Sequence, residues 1–257
     1  MNNKTNAVPS SESNRTARGG KSVYGACIGV LMLDTDFPRI PGDIGNTLTW
    51  PFPMLFRVVR GATGQKAIND RAPEALQAFI AAGKELVADG ADGLATSCGF
   101  LTLYQDELAA ACGVPVAASS LMQVPMVERL LPPGKRAGIL TINSTYLTPD
   151  HLAAAGIAPD TPIMGCEAGP EFSQFTRRKN QFIDCVQAEH DMLDAGAKLI
   201  RHHPDVGAIV LECTNMPPFA AALSAHISLP VYSIYSLLSW FQAGLSPRCF
   251  GPPGSAQ

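Results

Sequence analysis

Gly93-Leu94-Ala95-Thr96-Ser97-Cys98 and Ala208-Ile209-Val210-Leu211-Glu212-Cys213 read as one device written twice. Each is a short apolar run of the kind that forms a buried parallel strand, and each ends in a cysteine. Each leads into a helical pattern, over 103–111 in the first case and 219–225 in the second. Each then reaches a valine strand opened by proline, Val114-Pro115-Val116 and Leu229-Pro230-Val231. The cysteine and the proline are 17 positions apart both times. Two thiols at equivalent points of two equivalent units predict a pseudo-twofold molecule.

Outward from these segments, short apolar runs alternate with longer helical stretches. Strands are predicted over 26–33, 93–96, 114–117, 137–141, 163–165, 208–211 and 231–233, with the longest helical patterns over 69–89 and 176–202. Alternation of this kind gives an α/β fold with parallel sheets. In the first long helix Leu76, Phe79, Ile80 and Val87 share one face, while Glu74, Gln77, Lys84 and Glu85 take the other. Pro73 suits the first turn. The expected organisation is a tail over 1–22, a first lobe over 23–119 plus 229–250, and a second lobe over 120–228, with a cleft between two Rossmann-like lobes.

Composition narrows the function. The chain has 257 residues, 46% hydrophobic and 16% charged, with 19 basic against 22 acidic residues. That balance offers no footprint for nucleic acid or an anionic membrane, so a small-molecule partner is expected. No apolar run approaches bilayer length. The Asn-, Ser- and Thr-rich start lacks the apolar core of a secretory signal, and a cytoplasmic location is expected. Seven cysteines, an odd number with no CxxC pair, argue against a disulfide framework or a zinc knuckle. Cys27, Cys112, Cys166 and Cys185 read as small buried hydrophobes and Cys249 as exposed. Arg177-Arg178-Lys179 reads as a solvated face, and the five histidines suggest no site.

Cys98 and Cys213 stand apart because open parallel sheets bind ligands at the carboxyl ends of their strands. A helix N-terminus after each cysteine is expected to lower the thiol's pKa toward neutrality and to cradle a carboxylate. Facing thiols form an acid/base pair, one removing a Cα proton and the other returning one to the opposite face. Backbone donors at Gly99, Phe100, Thr214 and Asn215 are expected to stabilise the carbanionic intermediate. Glu212, next to Cys213 on a strand, should point away from it and serve a buried donor.

Thr-Ser97-Cys98-Gly99-Phe100, Glu-Cys213-Thr214-Asn215, Gly29-Val-Leu-Met-Leu-Asp34-Thr35 and Gly138-Ile-Leu-Thr141-Ile-Asn143-Ser144-Thr145, in this order, resemble the aspartate/glutamate/hydantoin racemase superfamily, which also holds arylmalonate decarboxylases and maleate isomerases. The resemblance runs from about Tyr24 to Ser246. It implies two Rossmann-like lobes, no pyridoxal phosphate, metal or other cofactor, and Cys98 and Cys213 as the catalytic pair. It places Asp34 near the first thiol, with a strand-end turn role as the alternative. It assigns Thr141, Asn143, Ser144, Thr145 and Thr214 to the substrate, beside Ser97, Gly99, Phe100 and Asn215 around the thiols. Gly99-Phe100 and Asn215 depart from the glutamate racemase pattern. The loop over 37–46, ending in Asn46, is expected to close over the cleft on a less polar substrate than glutamate.

The expected function is therefore a cofactor-independent racemase or epimerase of amino acid metabolism, acting on an amino acid or related small carboxylate. A malonate-type decarboxylase, a maleate cis–trans isomerase and a non-catalytic two-lobed binding protein are the alternatives. The family analogy also suggests a homo-oligomer.

Overall fold

A computed structural model describes residues 19–64, 73–175 and 181–248. Most of the expected tail, the Arg177-Arg178-Lys179 run, Cys249 and the first residues of both long helical patterns lie outside the described residues.

Two four-stranded sheets, every pairing parallel, share one plan. The first has the order β2-β1-β3-β4, from β1 (Ile28–Leu33), β2 (Met54–Val59), β3 (Gly93–Thr96) and β4 (Val116–Ala117). The second has the order β6-β5-β7-β8, from β5 (Arg136–Thr141), β6 (Ile163–Gly165), β7 (Val206–Leu211) and β8 (Val231–Tyr232). The α/β class and the paired architecture expected from the repeat are both present. In each sheet the chain leaves the two inner strands in opposite directions, making a crevice at their carboxyl ends, where ligands bind in such sheets.

The inner strands are buried because helices cover both faces of each sheet. β1 is buried at all six positions and β3 at all four. α1 (Pro73–Asp89) lays Phe79, Ala82 and Leu86 on the first sheet, with Leu76, Ile80 and Val87 at the margin, as its periodicity predicts. α2 (Gln105–Cys112) joins it on that face. In the second half α3 (Val124–Leu130), α4 (Pro149–Ala154), α5 (Phe172–Phe175), α6 (Cys185–His202) and α7 (Ala220–Ile227) surround the sheet. The carboxylate of Asp184 caps α6 by accepting from the N–H groups of Val186 and Gln187, each at 3.1 Å.

The second long helix begins only at Cys185, after the capping Asp184, and two further features differ from the sequence reading. β2 was not expected, although Met54-Leu-Phe-Arg-Val-Val59, bounded by prolines and Gly61, carries a strand signal. The segment from Leu229 also divides between the two halves. β8 pairs with β7 in the second sheet, while α8 (Ile234–Leu245) packs Ile234, Leu237 and Leu238 against Ile28, Val30 and Ala95 of the first. Gly93 permits that approach, since a Cβ there would lie 2.7 Å from both Leu245 and Phe241. Among the described residues no helix is long and apolar enough to cross a membrane.

Candidate active site

β3 and β7 deliver Cys98 and Cys213 to the crevices of the two sheets, and the halves meet there. The Thr214 hydroxyl donates to the carbonyl of Ser97 at 2.7 Å, tying the residue after one thiol to the residue before the other. The Ser97 hydroxyl accepts from the Leu33 N–H at 2.8 Å, joining the ends of β1 and β3. The Ser120 hydroxyl, in the link between the halves, contacts the carbonyls of Leu211 and Glu212. The two sulfurs feel each other's charge.

The charge of Glu212 reaches both sulfurs. The Glu212 side chain is 1% exposed; Oε2 accepts from the Thr141 hydroxyl at 2.8 Å, and the carboxylate also receives the Ile142 N–H. The expectation that Glu212 serves a buried donor is met, and that donor is Thr141. The opposite face of the carboxyl touches Gly99, where a Cβ would overlap Oε1. Burial, offset by the Thr141 and Ile142 bonds, pushes the Glu212 carboxyl up to about 7.

The thiols do not behave as expected from helix N-termini. Cys98 precedes a 3₁₀ turn, Gly99–Tyr104, rather than an α-helix, and α2 begins only at Gln105. Three residues separate Cys213 from the short turn Pro217–Phe219. Burial, reinforced by the charge of Glu212, pushes Cys98 up to about 12 despite the N–H groups of Phe100 and Leu101 and the Arg39 charge. The same two causes raise Cys213 well above the ordinary thiol value. Desolvation outweighs the weak end-field of a short turn. Cys213 donates its S–H to Asn215 Oδ1 at 3.4 Å.

The loop over 37–46 lies against this cluster. Arg39 pairs with Asp43 at 2.8 Å, donates to the Thr35 hydroxyl at 3.0 Å, and stands 4.7 Å over the Phe37 ring. The Asp43 carboxylate also accepts from the Gly45 N–H at 2.7 Å and from the Asn215 amide. The Ile44 N–H reaches the Thr214 carbonyl at 3.3 Å. Gly42, with φ 103°, lies so close to Pro218 that a Cβ would sit 2.7 Å from its Cα. The loop is thus latched to the second half.

Of the residues singled out from sequence, Ser97, Cys98, Gly99, Thr141, Cys213, Thr214 and Asn215 come together here. Phe100 contributes its N–H; its ring lies edge-on to His151, 5.4 Å between centroids, in the second core. Asp34 is engaged elsewhere, accepting from the Gly61 N–H at 2.9 Å and pairing with Arg60 at 3.1 Å. These contacts, the Gly61 bond first, hold its carboxyl below the ordinary value, as in its strand-end alternative. Asn46 caps the turn Thr47–Thr49 and donates to the Arg39 carbonyl at 2.8 Å, so it shapes the loop. Asn143 accepts from the Thr145 N–H and hydroxyl, and Ser144 binds Glu167. That loop is built on its own contacts, with Thr141 alone turned to Glu212. Arg39 and Asp43 were not singled out, though they are the charged pair of the loop, four residues apart. Among the described residues no group of three or more His, Cys, Asp or Glu side chains is arranged to hold a metal ion.

No family model matches the chain. The fold is that of the aspartate/glutamate racemase superfamily. Arylmalonate decarboxylase superposes with a TM-score of 0.56 at 14% identity, over 88% of this chain and 96% of the other. A glutamate racemase of Bacillus anthracis superposes with 0.53 at 16% identity, over 85% and 82%. Sequence similarity points to a different chemistry. A protein of Durusdinium sp. clade D named dimethylsulfoniopropionate lyase is 29% identical over 233 residues, 87% of this chain and 77% of its own length. Dimethylsulfoniopropionate lyase 7 of Emiliania huxleyi is 31% identical over 232 residues, 86% of this chain and 68% of its own length. These relatives correct the expectation of a racemase or epimerase of amino acid metabolism, together with its isomerase, decarboxylase and binding-protein alternatives. The paired thiols and the scaffold carried that expectation, and one scaffold hosts several reactions. With this fold and this kinship, the chain belongs to the dimethylsulfoniopropionate lyase family.

Proposed function

We propose that the protein is a lyase that cleaves dimethylsulfoniopropionate, or a closely similar β-sulfonio carboxylate, with Cys98 as the general base. The Cys98 thiolate takes a proton from the carbon next to the carboxylate. The electrons of that C–H bond form the new double bond, and the C–S bond breaks with its pair moving to sulfur. Dimethyl sulfide and acrylate result, and the thiol later releases its proton to solvent. Elimination needs one base and a leaving group that departs neutral, so no second proton transfer to carbon is required.

The observation that carries this reading is the difference between the two thiols. Cys98 has the N–H groups of Phe100 and Leu101 and the charge of Arg39 favouring its ionised form. Cys213 has the N–H of Asn215 alone on that side and is turned toward the Asn215 amide oxygen as a donor. In the proposed roles Cys213 stays protonated and faces the negative charge that gathers on the substrate carboxylate. A sulfonium group lying between the sulfurs lowers both thiol pKa values, so the substrate itself activates the base. General-base catalysis of this kind is worth about 10²–10⁴ in rate.

Proton NMR of the purified protein with dimethylsulfoniopropionate tests the proposal. The expected outcome is acrylate and dimethyl sulfide in equal amounts, with one proton released per turnover. Exchange of the α-hydrogens for solvent deuterium without any acrylate would refute the elimination.

A further inference from the structure

The charges of the site do not cancel. Arg39, whose charge favours ionisation of Cys98, is committed to Asp43 at 2.8 Å. Glu212 has only neutral donors, the Thr141 hydroxyl and the Ile142 N–H, and no ion pair among the described residues. The same carboxylate opposes ionisation of both Cys98 and Cys213, so its field reaches both sulfurs. A buried carboxylate without a counter-ion is unfavourable and is relieved by a positive charge brought close to it.

We propose that Glu212 is the specificity-determining charge of this site, the built-in counter-ion that selects carboxylates bearing an onium group over carboxylates of the same shape with a neutral alkyl group in its place. This rests on the lyase reading for the place of the ligand, between the two thiols. A β-onium carboxylate puts its cation in the field of Glu212 and leaves its carboxylate for the backbone donors. An isosteric neutral alkyl group gains nothing from that field, and a dicarboxylate is repelled by it. The selection complements the chemistry, because a leaving group that is cationic when bound departs as a neutral molecule.

Calorimetry with two ligands of one shape tests the proposal. These are 3-(trimethylammonio)propanoate, whose amine is a poor leaving group, and its isostere 4,4-dimethylpentanoate, whose tert-butyl end is neutral. At pH 8 the wild type is expected to favour the onium ligand by about tenfold or more, the scale of a charge pair in partly shielded surroundings. Glu212→Gln is expected to bring the ratio near one, while Glu212→Asp retains most of the preference. The wild type alone gives a second reading, free of any folding defect: the ratio falls as the pH drops from 8 to 6, through the value of about 7 at which Glu212 takes up its proton. Cys98, Cys213, Asp43 and Arg39 are the other titratable or charged groups of this cluster, and His151 lies edge-on to Phe100, 5.4 Å between centroids. The Glu212→Gln variant, flat across the same range, assigns the change to the carboxyl. A ratio unaffected by both pH and Glu212→Gln overturns the proposal, as does failure of the wild type to bind the onium ligand. Binding is read without turnover. A protein that prefers the onium ligand yet forms no acrylate refutes the lyase reading alone, and one that forms acrylate with an unchanged ratio refutes only the role of Glu212.

Discussion

The Thr141 hydroxyl donates to Oε2 of Glu212 at 2.8 Å, across the two inner strand ends of the second sheet. The other side of that carboxyl rests on Gly99, the residue after Cys98 in the first half. One buried acid therefore joins the turn that presents the first thiol to the strand that presents the second.

Gly99 has no room for a side chain. A Cβ there would overlap Oε1 of Glu212 and lie 2.5 Å from the Glu212 carbonyl oxygen, which cannot swing aside as a flexible side-chain tip would. Gly99→Ala is expected to cost about 1–3 kcal/mol, typical of overpacking in a close-fitted interior. Sulfide release is expected to fall as well, because the Cys98 turn must shift. Urea denaturation beside a turnover assay checks both.

Glu212 makes stability depend on pH in a stated direction. Its carboxyl is raised from 4.5 to about 7 in the folded protein, so between those values the folded state binds more protons than the unfolded one. Stability from this group is therefore greatest below pH 4.5 and falls as the pH rises through 7. With 1.36 kcal/mol per unit, the full loss is about 3 kcal/mol. Glu212→Gln is expected to flatten that part of the profile and to be the more stable form at pH 8. Urea midpoints at pH 5, 6, 7 and 8 for both proteins provide the comparison, and parallel profiles would contradict the burial argument.

How much of this was legible beforehand follows from what each residue touches. The strands carrying Cys98 and Cys213 are runs of buried apolar residues, a local signal, and the matched spacing to Pro115 and Pro230 fixed their equivalence. β2 carries the same local signal, in Met54-Leu-Phe-Arg-Val-Val59. The pairing of Thr141 with Glu212, 71 positions apart, has no local signature. The same holds for Asn215 and Asp43, 172 positions apart, which join only because the chain brings a loop of the first half to the second. The thiol pKa values were misread for a related reason: a helix terminus can be read from sequence, whereas the burial that overrides it belongs to the assembled fold. The reaction was misread because the superfamily scaffold is visible in the motifs and the substrate is not.

Asp43 holds the loop in place from both sides, through Arg39 on its own segment and through Asn215 on the second half. Asp43→Ala leaves the Arg39 guanidinium, 15% exposed, without its partner and is expected to cost about 3 kcal/mol. Asn215→Ala removes only the cross-link and the acceptor of the Cys213 thiol, at about 1 kcal/mol. Its larger effect is expected on KM, since the loop is no longer latched. Thermal unfolding with steady-state kinetics separates the two variants; equal stability losses would contradict the distinct roles of ion pair and latch.

The most direct test of the central claim is the rate of dimethyl sulfide release from dimethylsulfoniopropionate, read in the headspace, for the wild type, Cys98→Ser and Cys213→Ser. With Cys98 as base, Cys98→Ser is expected to lose about 10²–10⁴ in rate while keeping its fold. Cys213→Ser, which retains a donor at that position, is expected to lose substantially less. Sulfide release by Cys98→Ser at the wild-type rate would contradict the account.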